Sequence, residues 1–168
     1  MNDGHWQARA GWLIGRAILA PSSHNTQPWR FRVSPSSIEL RADCRYALPV
    51  NDPAGRELVI SCACALTNLR IAAAGRGLAI RVALLPETDD PDLLARVTID
   101  DGAATDLDEE GLAGYIQDRH TWRRRFAPDP VDGTVVQALL DAAASEGTRL
   151  QPLVGESIRR DIATIAAC

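Results

Sequence analysis

The stretch Ala20–Trp29 reads APSSHNTQPW and places six polar side chains between two prolines. The prolines restrict the backbone at both ends, and hydroxyl, imidazole and amide groups stand between them. Such a loop can present fixed hydrogen-bond donors and acceptors to a planar polar ligand. A well-hydrogen-bonded turn without a ligand explains this composition equally well, so both interpretations stay open at this point.

The segments on either side of this loop are a predicted helix and a predicted hairpin. Asp3 is suited to cap a helix that runs to about Ala20, with apolar residues along one side. After the loop, Trp29–Val33 and Ile38–Arg41 alternate apolar and polar residues around a Ser-Pro-Ser-Ser turn. This alternation predicts two antiparallel strands joined as a hairpin.

The segment Arg56–Ala74 is apolar nearly all round and predicts a helix with little polar surface. Asp52-Pro53 ahead of it is a typical helix start, an aspartate cap followed by proline at the first helical position. A helix with so little polar surface must be covered on several sides. We therefore expect it to be central in the fold.

The remaining patterns alternate between strands and helices, and Asp132 is suited to cap one of the helices. This alternation predicts a layered α/β or α+β architecture. The predicted strands are Leu78–Leu85, Leu94–Ile99 and Arg149–Val154, and the predicted helices are Glu110–Arg119, Thr134–Glu146 and Glu156–Ala167.

A second group of candidate functional residues is the arginine cluster, Arg119–Phe126, which reads RHTWRRRF. Arginine binds phosphate through two parallel hydrogen bonds, and a threonine hydroxyl adds a further donor. The alternative is an arginine-rich solvated edge that balances the acidic residues between Pro86 and Glu110. Because the protein as a whole is acidic, we favour an anion site.

The composition argues against several classes of function. The formal net charge is −4 and the pI is near 5.3, whereas a general binder of nucleic acid or anionic membranes needs a net basic field. The four cysteines and three histidines show no metal-ligand spacing, so we expect no metal site. Neither a signal peptide nor an apolar run of transmembrane length is evident. These features predict a cytoplasmic protein.

Familiar catalytic motifs are missing from the sequence, among them GxGxxG, the P-loop, HExxH and GxSxG. The carboxylates between Pro86 and Glu110 stand among Pro, Gly and Thr, so we interpret them as solvated loop residues and not as an acid–base pair. Ser22-Ser23-His24 lacks a nameable orienting acid, which argues against a hydrolase.

Three sequence elements together resemble one family. APSSHNTQPW resembles the (A/S)PSxxNxQPW signature of flavin-dependent nitroreductases, and RHTWR at 119–123 resembles their R-x-(S/T)-x-(R/K) phosphate-binding element. The Asp-Pro-x-Gly-Arg-Glu sequence at 52–57 adds to the match. The resemblance covers essentially the whole chain. It implies an α+β, nitroreductase-like fold with a central mixed sheet flanked by helices.

The order of the two main elements is informative. Ordinary nitroreductases have the arginine element first and the serine-containing loop after it, whereas here the loop comes first. This order resembles the tandem nitroreductase-like proteins of actinobacteria, the Acg-like group, in which two degenerate copies are fused. The resemblance then implies a first copy over residues 1–108 and the start of an incomplete second copy over residues 109–168. A full tandem protein would continue past Cys168.

The resemblance also implies roles for individual residues. Nitroreductases form intertwined dimers in which one protomer holds the phosphate of FMN and the other holds the flavin ring. No side chain is implied to be catalytic, because the flavin carries the redox chemistry. Carried over by motif, the phosphate would be held by Arg119, Thr121 and Arg123, and the ring would be lined by Pro21, Ser22, Ser23 and Asn25, with Gln27 as a structural bracket.

By resemblance, the expected function is an FMN-binding oxidoreductase that passes a hydride from NAD(P)H through the flavin to a nitro compound or a quinone. Two alternatives stay open: a flavin-holding or flavin-sequestering protein without turnover, and a truncated paralogue that only dimerises. The expected partners are NAD(P)H, a small nitro or quinone substrate, and either a second copy in a homodimer or a missing C-terminal half. Neither a nucleic acid nor a membrane is expected as a partner.

Overall fold

The computed structural model describes residues 3–100, 103–104, 111–127 and 129–166. The chain divides into two compact units, Met1–Trp122 and Arg123–Cys168. The first unit contains α1 (Asp3–Ala17), β1 (Trp29–Val33), β2 (Ser37–Ala42), α2 (Arg56–Ala74), β3 (Ile80–Leu84) and β4 (Leu93–Ile99), and the second contains α3 (Gly133–Ser145) and α4 (Glu156–Ala166). This content confirms the α+β class.

The four strands of the first unit form one sheet in the order β1-β2-β4-β3. The predicted hairpin is confirmed, because β1 and β2 pair antiparallel with Phe31 opposite Leu40. The pairs β2–β4 and β3–β4 are antiparallel as well. Every strand pair among the described residues is therefore antiparallel, and the expectation of a mixed sheet is wrong for this part of the chain. Short links join β1 to β2 and β3 to β4, whereas a parallel pair needs a long crossover connection.

The sheet has one apolar and one charged face. Ile38 and Leu40 of β2 and Ala95 and Val97 of β4 are buried on the apolar face. On the other face, Arg96 forms hydrogen bonds of 3.0 Å to Glu39 and 2.5 Å to Glu87. Asp90 accepts two hydrogen bonds from Arg41 on the same face, at 2.8 and 2.7 Å. Glu87 and Asp90, two of the carboxylates between Pro86 and Glu110, therefore form ion pairs with arginines of the sheet.

Helices α1 and α2 pack together over the apolar face of the sheet. Small residues allow their close approach, since Ala10, Ala17 and Ala65 are fully buried. The Trp6 ring is also buried, and its Nε1 donates a 2.6 Å hydrogen bond to the Ser34 carbonyl in the β1–β2 turn. The core of the first unit lies between these two helices and the sheet. Helix α1 ends at Ala17, three residues before the expected end.

Helix α2 has the predicted bounds but a different start and a more exposed surface than expected. Its N-cap is Gly55, whose φ of 69° lies in the left-handed region. Asp52 still caps the helix from further upstream, because its carboxylate accepts a 2.9 Å hydrogen bond from the Leu58 amide. Ten of its residues are buried, while Val59 and Ile60 are 47% and 54% exposed.

The length and composition of α2 would also suit a membrane span, with a mean hydropathy of 1.4 and half of its most apolar window buried within the protein. The core helix of a soluble protein meets the same criteria.

The second unit differs from its sequence prediction at one element. Asp132 caps α3 as predicted, since its carboxylate accepts a 2.8 Å hydrogen bond from the Thr134 amide. The predicted strand Arg149–Val154 is wrong, because these residues have no regular structure. A strand needs a partner for its backbone groups, and the described part of this unit contains only helices as regular elements.

Some predictions fall partly outside the described residues. Of the predicted helix Glu110–Arg119, Glu110 is not described and Ala113–Ile116 forms a 3-10 turn. The expected boundary between copies, at residues 108 and 109, and the chain end at Cys168 also lie outside the described residues.

Candidate functional site

The loop between α1 and β1 is held in an unusual backbone conformation by its own hydrogen bonds. His24, Asn25 and Gln27 have φ values of 49°, 58° and 50°, in the left-handed region that non-glycine residues seldom adopt. Ser22 Oγ accepts a 3.0 Å hydrogen bond from the backbone amide of Gln27. Thr26 Oγ1 donates a 2.9 Å hydrogen bond to the Ser23 carbonyl. The polar residues of the motif thus satisfy a tight turn, which is the structural role the sequence left open.

The same loop is tied to the first turns of α2. The Ser23 amide donates a 3.1 Å hydrogen bond to Ser61 Oγ, and the Ser23 hydroxyl donates to the Glu57 carboxylate. Ser61 Oγ in turn donates a 2.7 Å hydrogen bond to the Glu57 carbonyl. These contacts join residues 34 and 38 positions apart in the chain. They hold the Ser23 hydroxyl in one orientation against the helix.

Behind the loop, the Pro28 carbonyl accepts hydrogen bonds from the Asp43 amide at 2.8 Å and from Cys62 Sγ at 3.3 Å. Burial raises the pKa of the Cys62 thiol to about 12, which keeps this thiol neutral and unreactive at physiological pH. Cys62 is fully buried and hydrogen-bonded to the loop backbone, so its role here is to support the loop.

Between the loop and α2 lies an open groove of about 320 Å³, which we call the loop groove. On the helix, its residues are spaced i, i+3, i+4 and i+7, so they share one face. The sequence interpretation missed this helical face, because two polar residues were overlooked in a segment treated as apolar. The spacing of Glu57 and Ser61 was the signal available. The groove is lined by Pro21, Ser22, Ser23, Glu57, Ile60, Ser61 and Cys64.

The two serines leave complementary hydrogen-bonding capacity at this groove. Within the described residues, the Ser22 oxygen accepts from a backbone amide, so its own proton is left to donate. The Ser23 hydroxyl directs its proton to Glu57, so its lone pairs are left to accept. The surface of the groove is almost entirely apolar, so these hydroxyls offer a donor and an acceptor only at its edge, beside Pro21 and Ile60.

The predicted ring-side residues do not all meet at this groove. Pro21, Ser22 and Ser23 line it. Asn25 is exposed, and its backbone amide donates a 3.0 Å hydrogen bond to the Ser22 carbonyl. Its left-handed φ of 58° suits asparagine better than most residues. On this geometry, Asn25 shapes the turn.

Of the predicted phosphate-side residues, the structure brings Arg119 to the beginning of the loop. Its Nη2 donates a 3.2 Å hydrogen bond to the Leu19 carbonyl, across 100 positions of sequence. Thr121 is exposed, and the neighbouring His120 and Trp122 rings make an edge-to-face contact at 6.1 Å. Arg123 is also exposed and is the first residue of the second unit.

The expectation of no metal site is addressed only by the part of the chain that the structure describes. Within that part, no group of three or more His, Cys, Asp or Glu side chains is arranged to hold a metal ion.

The chain is similar in sequence to several known proteins. No family model matches the chain. The chain is 38% identical over 139 residues to the Mycobacterium tuberculosis protein named "Putative NAD(P)H nitroreductase Rv3131", covering 83% of this chain and 40% of that protein. It is 31% identical over 150 residues to "Putative NAD(P)H nitroreductase acg" of the same species, covering 88% of this chain and 44% of that protein.

The M. tuberculosis uncharacterized protein Rv3127 is 31% identical over 164 residues, covering 86% of this chain and 47% of that protein. The chain thus spans less than half the length of each of these curated relatives. Over most of its own length it is homologous to proteins named as NAD(P)H nitroreductases. The chain is therefore related to the nitroreductase family and to Acg-like proteins.

Proposed function

We propose that this chain supplies the ring-binding loop and the phosphate-binding arginines of an FMN site in a nitroreductase-type oxidoreductase that uses NAD(P)H. The observation that carries the proposal is the loop groove, proposed here as the flavin groove. In it, the Gln27 backbone amide orients the Ser22 hydroxyl within the loop, and the Glu57 carboxylate orients the Ser23 hydroxyl against α2. The names of the relatives support the reaction class. The α+β structure with its antiparallel sheet is compatible with the proposed nitroreductase-like fold.

The groove fits the flavin ring in chemistry and in size. The pyrimidine edge of a flavin presents carbonyl oxygens beside an N–H group. A donor at Ser22 matches a carbonyl, and an acceptor at Ser23 matches the N–H. Pro21 and Ile60 provide apolar surface for the planar ring. A volume of about 320 Å³ is near the lower end of small-molecule pockets, which start at about 300 Å³. A volume of this size would suit part of the flavin ring, so the phosphate would have to be held elsewhere.

The phosphate is assigned in this proposal to Arg119, Thr121 and Arg123. A guanidinium has five N–H donors and binds phosphate through two at once. Arg119 uses one N–H on the Leu19 carbonyl and keeps others for a ligand. All three side chains are exposed and accessible to an anion.

The chemistry in this proposal comes from the cofactor, and the chain positions it. When bound, FMN supplies hydride transfer from NAD(P)H to a nitro compound or a quinone. Glu57 acts as a positioning residue, because its carboxylate fixes the Ser23 proton and so directs the Ser23 lone pairs outward. Ser61 keeps the loop backbone seated on α2 through the Ser23 amide. Ile60 and Pro21 exclude water from one side of the groove.

The proposal extends to assembly and location. The chain would contain a first nitroreductase-like copy over residues 1–108 and the start of a second over residues 109–168, with the rest of the site supplied by a homodimer partner or a longer protein. It would work in the cytoplasm on small molecules, without nucleic acid or membrane.

The phosphate assignment is tested by titrating the full chain with FMN and with riboflavin, which lacks the phosphate. Arg119→Ala combined with Arg123→Ala removes charge-assisted hydrogen bonds of about 1.5–3 kcal/mol each, so FMN affinity should fall by about a hundredfold or more. Riboflavin affinity should stay unchanged. Flavin fluorescence quenching measures both affinities.

The matched control is Arg30→Ala combined with Arg32→Ala, which removes two exposed arginines of β1 and should leave FMN binding intact. Ser22→Ala should weaken both flavins alike, since it acts on the ring. If Arg119 and Arg123 affect FMN and riboflavin equally, they do not hold the phosphate. Flavin binding without NAD(P)H oxidation would favour the flavin-holding alternative, and no binding of either flavin by the folded chain would refute the proposed site.

A further inference from the structure

A second cavity, of about 300 Å³, lies beside α1, and we call it the cationic pocket. His5, Arg9 and Trp12 on α1 are spaced i, i+4 and i+7 and therefore share one face. Arg76, just after the end of α2, closes the pocket from the other side. The lining residues are His5, Ala8, Arg9, Trp12, Arg76 and Leu78. The pocket shares no lining residue with the loop groove, which lies beyond the other end of α1.

The Trp12 ring holds Arg76 of this pocket, and it also stacks with Arg16, which lies outside the pocket lining. The guanidinium carbon of Arg76 lies 4.1 Å from the ring centroid, and that of Arg16 lies 5.2 Å from it. Both distances are within the range of an attractive cation–π interaction. Arg9 Nη2 lies 2.9 Å from His5 Nε2, and because a guanidinium can only donate, Nε2 is the acceptor in this contact. These contacts pre-organise the pocket for a ligand.

Among the described residues, no nearby carboxylate balances the positive charge at this pocket. No ion pair joins Arg9, Arg16 or Arg76 to a carboxylate within the described part of the chain. Several arginines elsewhere do pair with carboxylates, namely Arg41, Arg45, Arg81, Arg96 and Arg160. The protein as a whole carries a formal net charge of −4. Arg9 and Arg76 both line the pocket, so two positive groups face the same space and repel each other, and a bound anion offsets that repulsion.

We propose that the cationic pocket binds a small phosphate ester. A phosphate dianion matches two guanidinium groups, and the forked geometry of arginine favours phosphate oxygens. Ala8, Trp12 and Leu78 add apolar surface for the organic part of the ligand. The pocket volume exceeds what a bare phosphate ion fills, so an ester fits better than inorganic phosphate. This site is independent of the loop groove.

The test uses phenyl phosphate as the probe and benzoate as the matched carboxylate, titrated into the full chain by calorimetry at constant ionic strength. Phenyl phosphate should bind saturably and benzoate more weakly. Arg9→Gln combined with Arg76→Gln should reduce phenyl phosphate affinity by at least about tenfold, because two charge-assisted contacts are lost. Arg9→Lys combined with Arg76→Lys keeps the charge without the fork and should bind with intermediate affinity.

The matched control is Arg30→Gln combined with Arg32→Gln, which changes the net charge equally on the β1 strand and should leave phenyl phosphate binding unchanged. An equal loss of affinity in the two glutamine pairs would show a general charge effect and overturn the proposal. Non-saturable binding, or benzoate binding as tight as phenyl phosphate, would also overturn it. Riboflavin affinity should be the same in the Arg9 and Arg76 variants as in the parent chain, which separates this test from that of the loop groove.

Discussion

Ser61 shows how one side chain joins the two halves of the candidate site. It is 3% exposed, and its hydroxyl accepts from the Ser23 amide and donates to the Glu57 carbonyl. Without that oxygen the Ser23 amide loses its partner in a part-buried position. An orphaned backbone donor costs about 1–3 kcal/mol. We therefore expect Ser61→Ala to lower the free energy of unfolding by about that amount, measured by urea denaturation.

Thr67→Ala provides the matched control on the same helix. Thr67 Oγ1 donates a 3.1 Å hydrogen bond to the carbonyl four residues earlier, as Ser61 does, but its side chain is exposed. Its loss should change stability by less than about 0.5 kcal/mol. Equal effects of the two substitutions would mean that the Ser61–Ser23 contact contributes nothing, and that only the back-bond within the helix matters.

The contacts of Asp43 predict how the stability of the folded chain changes at acidic pH. Its carboxylate accepts hydrogen bonds from the Arg45 amide and guanidinium, which lower the pKa of Asp43 from 3.8 to about 2. Since the folded pKa lies below the unfolded one, the stabilisation is complete above pH 3.8 and is lost as the pH falls toward about 2. Asp43→Asn should be less stable at pH 7 and should show a smaller loss of stability between these pH values.

The comparison for Asp43→Asn is Asp118→Asn, which makes the same charge change at an exposed site. Thermal unfolding of both variants and the parent at several pH values between 2 and 7 gives the result. If Asp43→Asn and the parent lose stability in parallel below pH 4, the Asp43–Arg45 contact does not account for the acid sensitivity.

At the scale of elements, the helices of the two units differ in how much of their surface is covered. Ten residues of α2 are buried, whereas no residue of α3 is buried and Ile158, Ile162 and Ile165 of α4 are 47%, 42% and 75% exposed. Helices with few buried contacts open locally at low free energy. We expect backbone amides of α2 to exchange with deuterium at least about a hundredfold more slowly than those of α3 and α4, equal to about 2.8 kcal/mol.

Hydrogen exchange on the full chain at two protein concentrations checks this expectation. Equal protection of α2 and α3 at low concentration would contradict it. Protection of α3 and α4 that rises with concentration would show that a second copy covers them, which the proposed homodimer requires. An apolar helix surface of this kind is seldom left open by a soluble protein.

Several elements were predictable because their patterns are local. The alternation in Trp29–Val33 has the period of a strand, and the uninterrupted apolar segment Arg56–Ala74 has the length of a helix. The start of α2 was predicted less well. Asp52 does cap the helix, but a left-handed Gly55 intervenes, and the sequence does not reveal which of two nearby residues turns the chain. The apolar composition of Arg149–Val154 suggested a strand, yet pairing depends on a partner elsewhere in the chain.

At the scale of the whole molecule, the amino-acid sequence alone carries the motif residues and the family resemblance. APSSHNTQPW and RHTWR point to the nitroreductase family, and the curated relatives support that assignment. The motif can be recognised from the sequence because its turn depends on contacts between residues close together in the chain. The hydrogen bond from the Gln27 backbone amide to Ser22 Oγ is one such contact. The two compact units and the antiparallel sheet order β1-β2-β4-β3 are properties of the folded chain that no local pattern predicts.

What the sequence by itself determined are the local features: the hairpin, the extent of α2, the Asp132 cap and the polar loop Pro21–Pro28. Tertiary structure alone decided which distant groups meet. Ser23 meets Glu57 across 34 positions and Arg119 meets Leu19 across 100, and the Arg16 and Arg76 guanidinium groups both stack on the Trp12 ring. The physical reason is that periodicity and capping act within a few residues, whereas long-range contacts form only when burial of the apolar faces of α1, α2 and the sheet sets their relative positions.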